Sequence, residues 1–381
     1  MRTYLDYNAT APLDSAVAER MGRALADEFG NPSSIHHFGQ RAKIALDEAR
    51  SAVAALVGGD PAEVVFTSGG TESDNLALRG AALAARMNGR RRLIASAIEH
   101  EAVLATLTAL ERDGFAITLL AVDDAGVVAP ARLREVIGAE AALVSVMHAN
   151  NEVGTIQPIA ELAGIARDHG ALFHTDAVQS AGKIPVDVRA LGVDLASISA
   201  HKFGGPKGAG ALWVRRGTRL VSHLTGGGQE RGRRAGTENV PALIGFGVAA
   251  GLARARLDAD GERIAALRDR LEGSILASVP GTVVNGARAP RIPNTTNISF
   301  DRVEAESLLI ALDLEGIAVS TGSACSSGTL EPSHVLTAMG LPGRRVQSAI
   351  RFSLGSETTG ADVDRVLAVL PPLVDRLRRT R

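Results

Sequence analysis

The chain has 381 residues, 45% of them hydrophobic and 22% charged, with a formal net charge of -1. That length carries a sizeable core and points to two domains. The near-zero charge, without a long basic run or stripe, argues against a direct nucleic-acid partner.

The first six residues contain no apolar signal core, and no apolar stretch reaches the ~18 residues that a membrane helix needs. A cytoplasmic protein without a membrane partner is the expectation. Cys325 is the one cysteine, which excludes an intrachain disulfide and a multi-cysteine metal site, and no metal is expected. Cys325 lies in Thr321-Gly-Ser-Ala-Cys-Ser-Ser-Gly328, which reads as an exposed loop, where a free thiol asks for a chemical reason. Lysine is also scarce. Only Lys43, Lys183, Lys202 and Lys207 occur among 41 Lys plus Arg, so the other 37 (41 minus 4) are arginine. Each lysine is thus a candidate for work that guanidinium does not do, such as forming a Schiff base.

In chain order, the residues from 64 to 67 read as a short buried strand, followed by a Gly-rich turn and a helix from about Thr71. Further strands are expected at 92–96, 117–122, 143–147, 172–175, 195–199 and 209–214, with helices between several of them, for example 159–167. This repetition predicts an α/β domain with a mostly parallel sheet, whose ligands sit at the carboxyl ends of the strands. A long helical stretch follows at 240–277. After it come a strand at 296–300, a helix at 305–314, a strand at 348–353 and a final helix at 361–378. The expected division is a large domain over 16–257, with 1–15 and 258–381 forming a smaller one.

Four motifs in the first domain follow predicted strands. Ser68-Gly-Gly-Thr-Glu-Ser-Asp-Asn75 opens a helix with glycines and free N–H groups, a setting for a phosphate, and Thr71 begins a Ser/Thr-x-x-Asp capping pattern with Asp74. The same residues also read as a plain capped helix start. His100, after the 92–96 strand, suits stacking on a flat ring and moving protons; a lone histidine is more often structural. Asp176 ends an apolar strand, where a carboxylate needs a partner such as a pyridinium nitrogen, although a helix cap is the common alternative. Gln179, three residues on, is placed to reach the ring's phenolic oxygen. Lys202, in Ser199-Ala-His-Lys-Phe-Gly-Gly-Pro-Lys-Gly208, is either a nucleophilic amine at a strand end or a surface lysine before a turn. The ordered set of four is harder to assign to coincidence than any one of them.

With these motifs in place, the chain resembles the class V branch of the fold-type I pyridoxal-phosphate enzymes, and within it the cysteine desulfurases that feed iron–sulfur cluster assembly. The resemblance runs nearly end to end. It is carried by Tyr4-Leu-Asp-Tyr-Asn-Ala-Thr10, Gly30-Asn-Pro-Ser-Ser34, the Ser68 turn, His148-Ala-Asn-Asn-Glu-Val-Gly154, the Asp176 and Lys202 motifs, Gly226-Gly-Gly-Gln-Glu-Arg-Gly-Arg-Arg-Ala-Gly-Thr237, Ser323-Ala-Cys-Ser326 and Ile350-Arg-Phe-Ser-Leu-Gly355. It implies pyridoxal 5'-phosphate as cofactor and L-cysteine as substrate. By the same likeness Lys202 bonds to the cofactor, Asp176 pairs with the ring nitrogen, Gln179 contacts the ring hydroxyl and His100 stacks on the ring. Gly70, Thr71, Ser199 and His201 hold the phosphate, and Thr237 reaches the neighbouring site of a homodimer. Asn151 contacts cofactor or substrate, Arg351 binds the substrate carboxylate, and Cys325 forms the persulfide. The Thr-Gly-Ser-Ala-Cys context is similar to the group with a long catalytic loop rather than the group with an Arg-x-Gly-His-x-Cys pattern. An iron–sulfur scaffold protein is the implied acceptor; selenocysteine lyase activity or sulfur donation for tRNA thiolation are the alternatives on the same scaffold.

Overall fold

The computed structural model describes residues 2–322 and 332–379, so Cys325 lies outside the described residues. The chain begins with β1 (Thr3–Tyr4), α1 (Ser15–Asp27) and α2 (His37–Leu56). Strands and helices then alternate: β2 (Val64–Thr67), α3 (Gly70–Arg86), β3 (Arg92–Ser96), α4 (Glu101–Arg112), β4 (Ala116–Leu120), α5 (Pro130–Val136), β5 (Ala141–Ser145), α6 (Ile159–Asp168), β6 (Leu172–Asp176), β7 (Leu195–Ser199) and β8 (Gly210–Val214). The long α7 (Val240–Ser278) leads to β9 (Thr282–Asn285), β10 (Thr295–Phe300), α8 (Ala305–Leu314), β11 (Ile317–Ala318), α9 (His334–Ala338), α10 (Gly343–Val346), β12 (Ala349–Ser353) and α11 (Gly360–Arg379).

Seven strands form the large sheet in the order β2-β8-β7-β6-β5-β3-β4. All neighbours are parallel except β8, which runs antiparallel to both β2 and β7. Reversing twice, β2 points the same way as β7. The carboxyl ends of six strands therefore share one edge. Every residue of β5, β7 and β8 is buried, which explains runs such as Leu195-Ala-Ser-Ile-Ser199: with helices over both faces there is no solvent side to demand alternation. A second, antiparallel sheet has the order β12-β10-β9, and β1 pairs in parallel with β11.

The apolar interior divides along the same line. One pair of clusters surrounds the large sheet, with members from Ala24 to Ala250. Another cluster combines Leu5 with residues from Ile264 to Val374. Helix α7 serves both, burying Val240 to Ala250 in the first and Ile264, Leu271 and Ile275 in the second. Among the described residues it is the one helix long and apolar enough to cross a membrane, but half of that apolar window is buried and it packs on α1 and α2. At 1.5 Å per residue its 39 residues span about 58 Å.

Candidate functional site

The Gly-rich turn after β2 is shaped by close backbone approach. A Cβ on Gly210 of β8 would lie 2.5 Å from the Gly69 Cα, so position 210 admits no side chain. A Cβ on Gly70 would meet Val178 at 2.9 Å and the Ser199 Cβ at 3.7 Å, which brings the start of α3 against the end of β7. The expected capping pattern from Thr71 to Asp74 does not form. Gly69 takes the cap position with no side-chain bond, and Asp74 turns inward, fully buried, with an oxygen 3.6 Å from His174 Nε2. An uncapped helix start favours an anion. Beside it the Ser199 hydroxyl is buried without a hydrogen-bond partner among the described residues, the kind of orphaned group that a bound acceptor satisfies. His201 turns toward the N-terminal segment, its Nδ1 3.1 Å from Thr10 Oγ1.

His100 caps α4, its Nδ1 accepting from Ala102 N at 3.1 Å. It lines a shallow depression together with Thr71. Burial holds its pKa below the ordinary 6.5 against an opposing pull from Asp176. Since Nδ1 accepts, the neutral ring carries its proton on Nε2.

Asp176 is the last residue of β6, 5% exposed, with Oδ1 accepting from Val178 N at 2.8 Å. Burial raises its pKa, while His100 and Lys202 nearby oppose that rise. Lys202 follows β7, the neighbouring strand, in a single 3-10 turn. Its Nζ donates to the backbone oxygens of Asn8 (2.7 Å) and Ala9 (3.0 Å) and, among the described residues, pairs with no carboxylate. Burial and the Arg351 charge lower its pKa from 10.5 to about 8.

Asn8 ties these parts together. Its backbone oxygen accepts from Lys202 and from Gln179 Nε2, its Oδ1 from Lys183 Nζ (2.9 Å) and Asn294 Nδ2 (3.0 Å), and its Nδ2 donates to Asn151 O and Thr295 Oγ1. Gln179 Oε1 accepts from Lys183 Nζ at 2.7 Å. The amide expected to point at a ring oxygen thus already serves Asn8 and Lys183. Desolvation pushes Lys183 well below the usual lysine range. Neither Asn8 nor the contact between Lys183 and Gln179 was legible beforehand, although the i, i+4 spacing of Gln179 and Lys183 was available as a signal.

Arg351, on β12 of the smaller sheet, is 3% exposed. Its Nη2 bonds Asp6 Oδ1 at 2.6 Å and its Nη1 donates to Asn151 O at 3.0 Å, while the buried Nε has no hydrogen-bond partner among the described residues. The arginine expected to hold a carboxylate therefore holds one already, from this chain. Asn151 contributes its backbone oxygen, and its side-chain amide makes no hydrogen bond among the described residues. Thr237 is exposed and shares a depression with Ser68, Glu230 and Asn239. The strap leading to it is anchored by Glu230, whose backbone sits at φ 46° and whose carboxylate accepts both Arg50 Nη groups at 2.7 Å and Phe66 N at 2.9 Å.

The fold and site define a class, an α/β protein with a low-pKa lysine and a buried aspartate at adjacent strand ends. The family follows: the model described as "Aminotransferase class-V" matches residues 3–366, and the chain belongs to that family. It is 50% identical over 375 residues to a protein named "Cysteine desulfurase IscS" from Dictyoglomus turgidum (strain DSM 6724 / Z-1310), covering 98% of this chain and 95% of that one. A solved structure described as "NIFS-LIKE PROTEIN" superposes with a TM-score of 0.89 at 37% identity, covering 100% of this chain and 99% of the other. Another, "SspA in complex with cysteine", gives a TM-score of 0.83 at 36% identity over 94% of this chain and 100% of that one.

Proposed function

We propose that this chain is a cysteine desulfurase: with pyridoxal 5'-phosphate it takes the sulfur from L-cysteine, yields L-alanine, and carries the sulfur as a persulfide on Cys325 for iron–sulfur cluster assembly. The observation that carries the reading is the Lys202 amine, lowered to about 8 and held by two backbone oxygens, at the strand next to buried Asp176. The names of the similar proteins and the cysteine bound in one of them support it.

The residues fit the cofactor. The uncapped start of α3 at Gly70 and Thr71, with the unpartnered Ser199 hydroxyl and His201, would hold its phosphate. Asp176 would pair with the ring nitrogen, Gln179 would contact the ring hydroxyl, His100 would cover the ring face, and Thr237 of the partner subunit would close the phosphate site in a cytoplasmic homodimer. When bound, the cofactor withdraws electrons from the substrate carbon next to it. Every other role belongs to the protein. Near pH 8 half of Lys202 is neutral, so this amine can attack a carbonyl carbon and later take a proton from Cα. Arg351 receives the substrate carboxylate by releasing Asp6, with its orphaned Nε available for a second contact. Asn151 offers its side-chain amide to the bound molecules.

His100 offers Nε2–H to the substrate sulfur and stabilises a thiolate there. It accepts the thiol proton only if it gives up its cap on α4. Cys325, as thiolate, forms a bond to the substrate sulfur; the electron pair of the breaking C–S bond stays with the carbon skeleton, which takes a proton on the carbon that held the sulfur, takes back the Cα proton from Lys202, and leaves as alanine. The two apolar cores are read as two domains, 16–257 and 1–15 with 258–381, each supplying one side of the site. The test is a product assay: the wild-type chain should convert cysteine to alanine with one persulfide per chain on Cys325, and Cys325→Ser should bind cysteine without forming it. Sulfide turnover at the wild-type rate in Cys325→Ser would refute the nucleophile assignment.

A further inference from the structure

The amine of Lys183 has no part in the reaction above. The chain after β6 winds through a turn in which Ala181 N donates to Ala177 O at 2.9 Å and Ile184 N to Ser180 O at 3.0 Å, with Gly182 at φ 76°. That turn lays Lys183 against Gln179, four residues earlier, and against Asn8 of the N-terminal segment. Its Nζ donates to Gln179 Oε1 at 2.7 Å and to Asn8 Oδ1 at 2.9 Å. The charges that bear on it are those of Lys202 and Arg351, both positive, and His201 also lies within its field. Together with burial they favour the neutral amine. A neutral amine carries two hydrogens, and the two oxygens use both. Guanidinium, which keeps its charge, would not serve here as a neutral donor.

This pairing decides how the Gln179 amide lies. The two ends of an amide are alike in shape and opposite in hydrogen bonding. Gln179 is 5% exposed, so an end left without a partner is costly. With Oε1 held by Lys183, Nε2 lies on the other side and donates to Asn8 O at 3.0 Å. That same backbone oxygen accepts from Lys202 Nζ at 2.7 Å, which brings the amide nitrogen beside the reactive amine. Nε2 carries a second hydrogen that meets no acceptor among the described residues. One contact, to Asn8 O, would let the amide swing about that bond; the second, from Lys183, fixes its plane.

We propose that Lys183 is a positioning residue: it pins the oxygen of the Gln179 amide, so that the nitrogen beside Lys202 is the end offered to the ring oxygen of the cofactor. The inference rests on the cofactor placement proposed above and deepens it. A fixed N–H at that oxygen stabilises negative charge there, and a proton held between the ring oxygen and the Lys202 nitrogen is released more easily. The other charges acting on the Lys202 nitrogen are Arg351, Asp176 and Asp6. The test leaves all three in place.

The experiment follows the near-visible absorbance of the chain loaded with pyridoxal 5'-phosphate across a pH series, for wild type, Lys183→Met, Gln179→Leu and the double variant. Lys183→Met keeps the aliphatic stem and removes the donors. Its absorbance midpoint should rise by about one pH unit, the worth of one hydrogen bond to a charged oxygen. Gln179→Leu should raise the midpoint at least as much. The double variant should match Gln179→Leu alone, because the lysine acts through the amide. An unshifted midpoint in Lys183→Met, or a double variant whose rise is the sum of the two single rises, would overturn the role. If Lys183→Met does not fold, Lys183→Arg carries the test. Its donors remain and its charge is positive, so the midpoint should stay at or below the wild-type value, and a rise would overturn the role. A wild-type chain with no near-visible band would defeat the cofactor placement itself. Lys183 would then be judged in the cofactor-free chain labelled with 15N-glutamine: exchange of the Gln179 side-chain N–H protons should speed up in Lys183→Met, and an unchanged rate would overturn the role.

Discussion

Asp176, Ser199 and Lys202 stand at or just beyond the carboxyl ends of β6 and β7, two paired strands whose residues are nearly all buried. Their positions follow from the sheet itself, and little beyond backbone geometry is needed to aim them. The Arg351 side is assembled differently. There Asp6, Asn151, Glu152, Ser333 and Arg351 come from four separate stretches of chain and are held by side-chain contacts across up to 345 residues of sequence. One half is aimed by paired strand ends alone; in the other Arg351 stands on buried β12, and the groups around it reach it through polar contacts. In the proposed reaction the cofactor chemistry falls on the first half and recognition of the substrate carboxylate on the second.

The largest effect expected from this contrast is on the first half. Lys202→Ala should lower alanine formation by on the order of a thousandfold or more, because it removes both the attacking amine and the proton acceptor. An assay of alanine release checks this, and a rate within tenfold of wild type would break the comparison. Next comes the strap that leads to Thr237. Arg50→Ala leaves the Glu230 carboxylate buried without its bidentate partner, and denaturant unfolding should show a loss of about 3–5 kcal/mol. On the side-chain-built half, Arg351→Lys should raise the cysteine KM by about tenfold, since an ammonium does not reproduce a forked contact. Asp6→Asn sharpens the point in the opposite direction. Removing the competing carboxylate should lower KM by about threefold, less than one unit of paired-charge energy. Steady-state kinetics over a range of cysteine concentrations measures both.

What was legible beforehand divides the same way. Strands β2, β3 and β7 match expectation to the residue, and the motifs at their ends were visible because a buried strand and the turn after it are neighbours in sequence. Strands β4 and β5 begin and end one or two residues earlier than expected, within the usual fraying of element ends. The cap at Thr71 failed because Gly69 takes the position and Asp74 falls on the buried face of α3, where tertiary packing overrides a local pattern. Asn8 as a hub, Asp6 on Arg351, and Glu152 on Ser333 were not legible at all. Each depends on which distant segments the fold brings together, and no local spacing encodes that.

The central claim is that the Lys202 amine is the group that reaches the cofactor, with its proton already loosened by burial. Cofactor-free chain mixed with pyridoxal 5'-phosphate and reduced with borohydride, then digested and mass-mapped across a pH series, tests this directly. Because the folded amine is protonated below about 8 and neutral above it, labelling should rise as pH passes through about 8, more than two pH units below where an ordinary lysine at 10.5 loses its proton. The account predicts a single pyridoxyl adduct on Lys202 with that midpoint. An adduct mapped to Lys183 or Lys207, with Lys202 unlabelled, would contradict it.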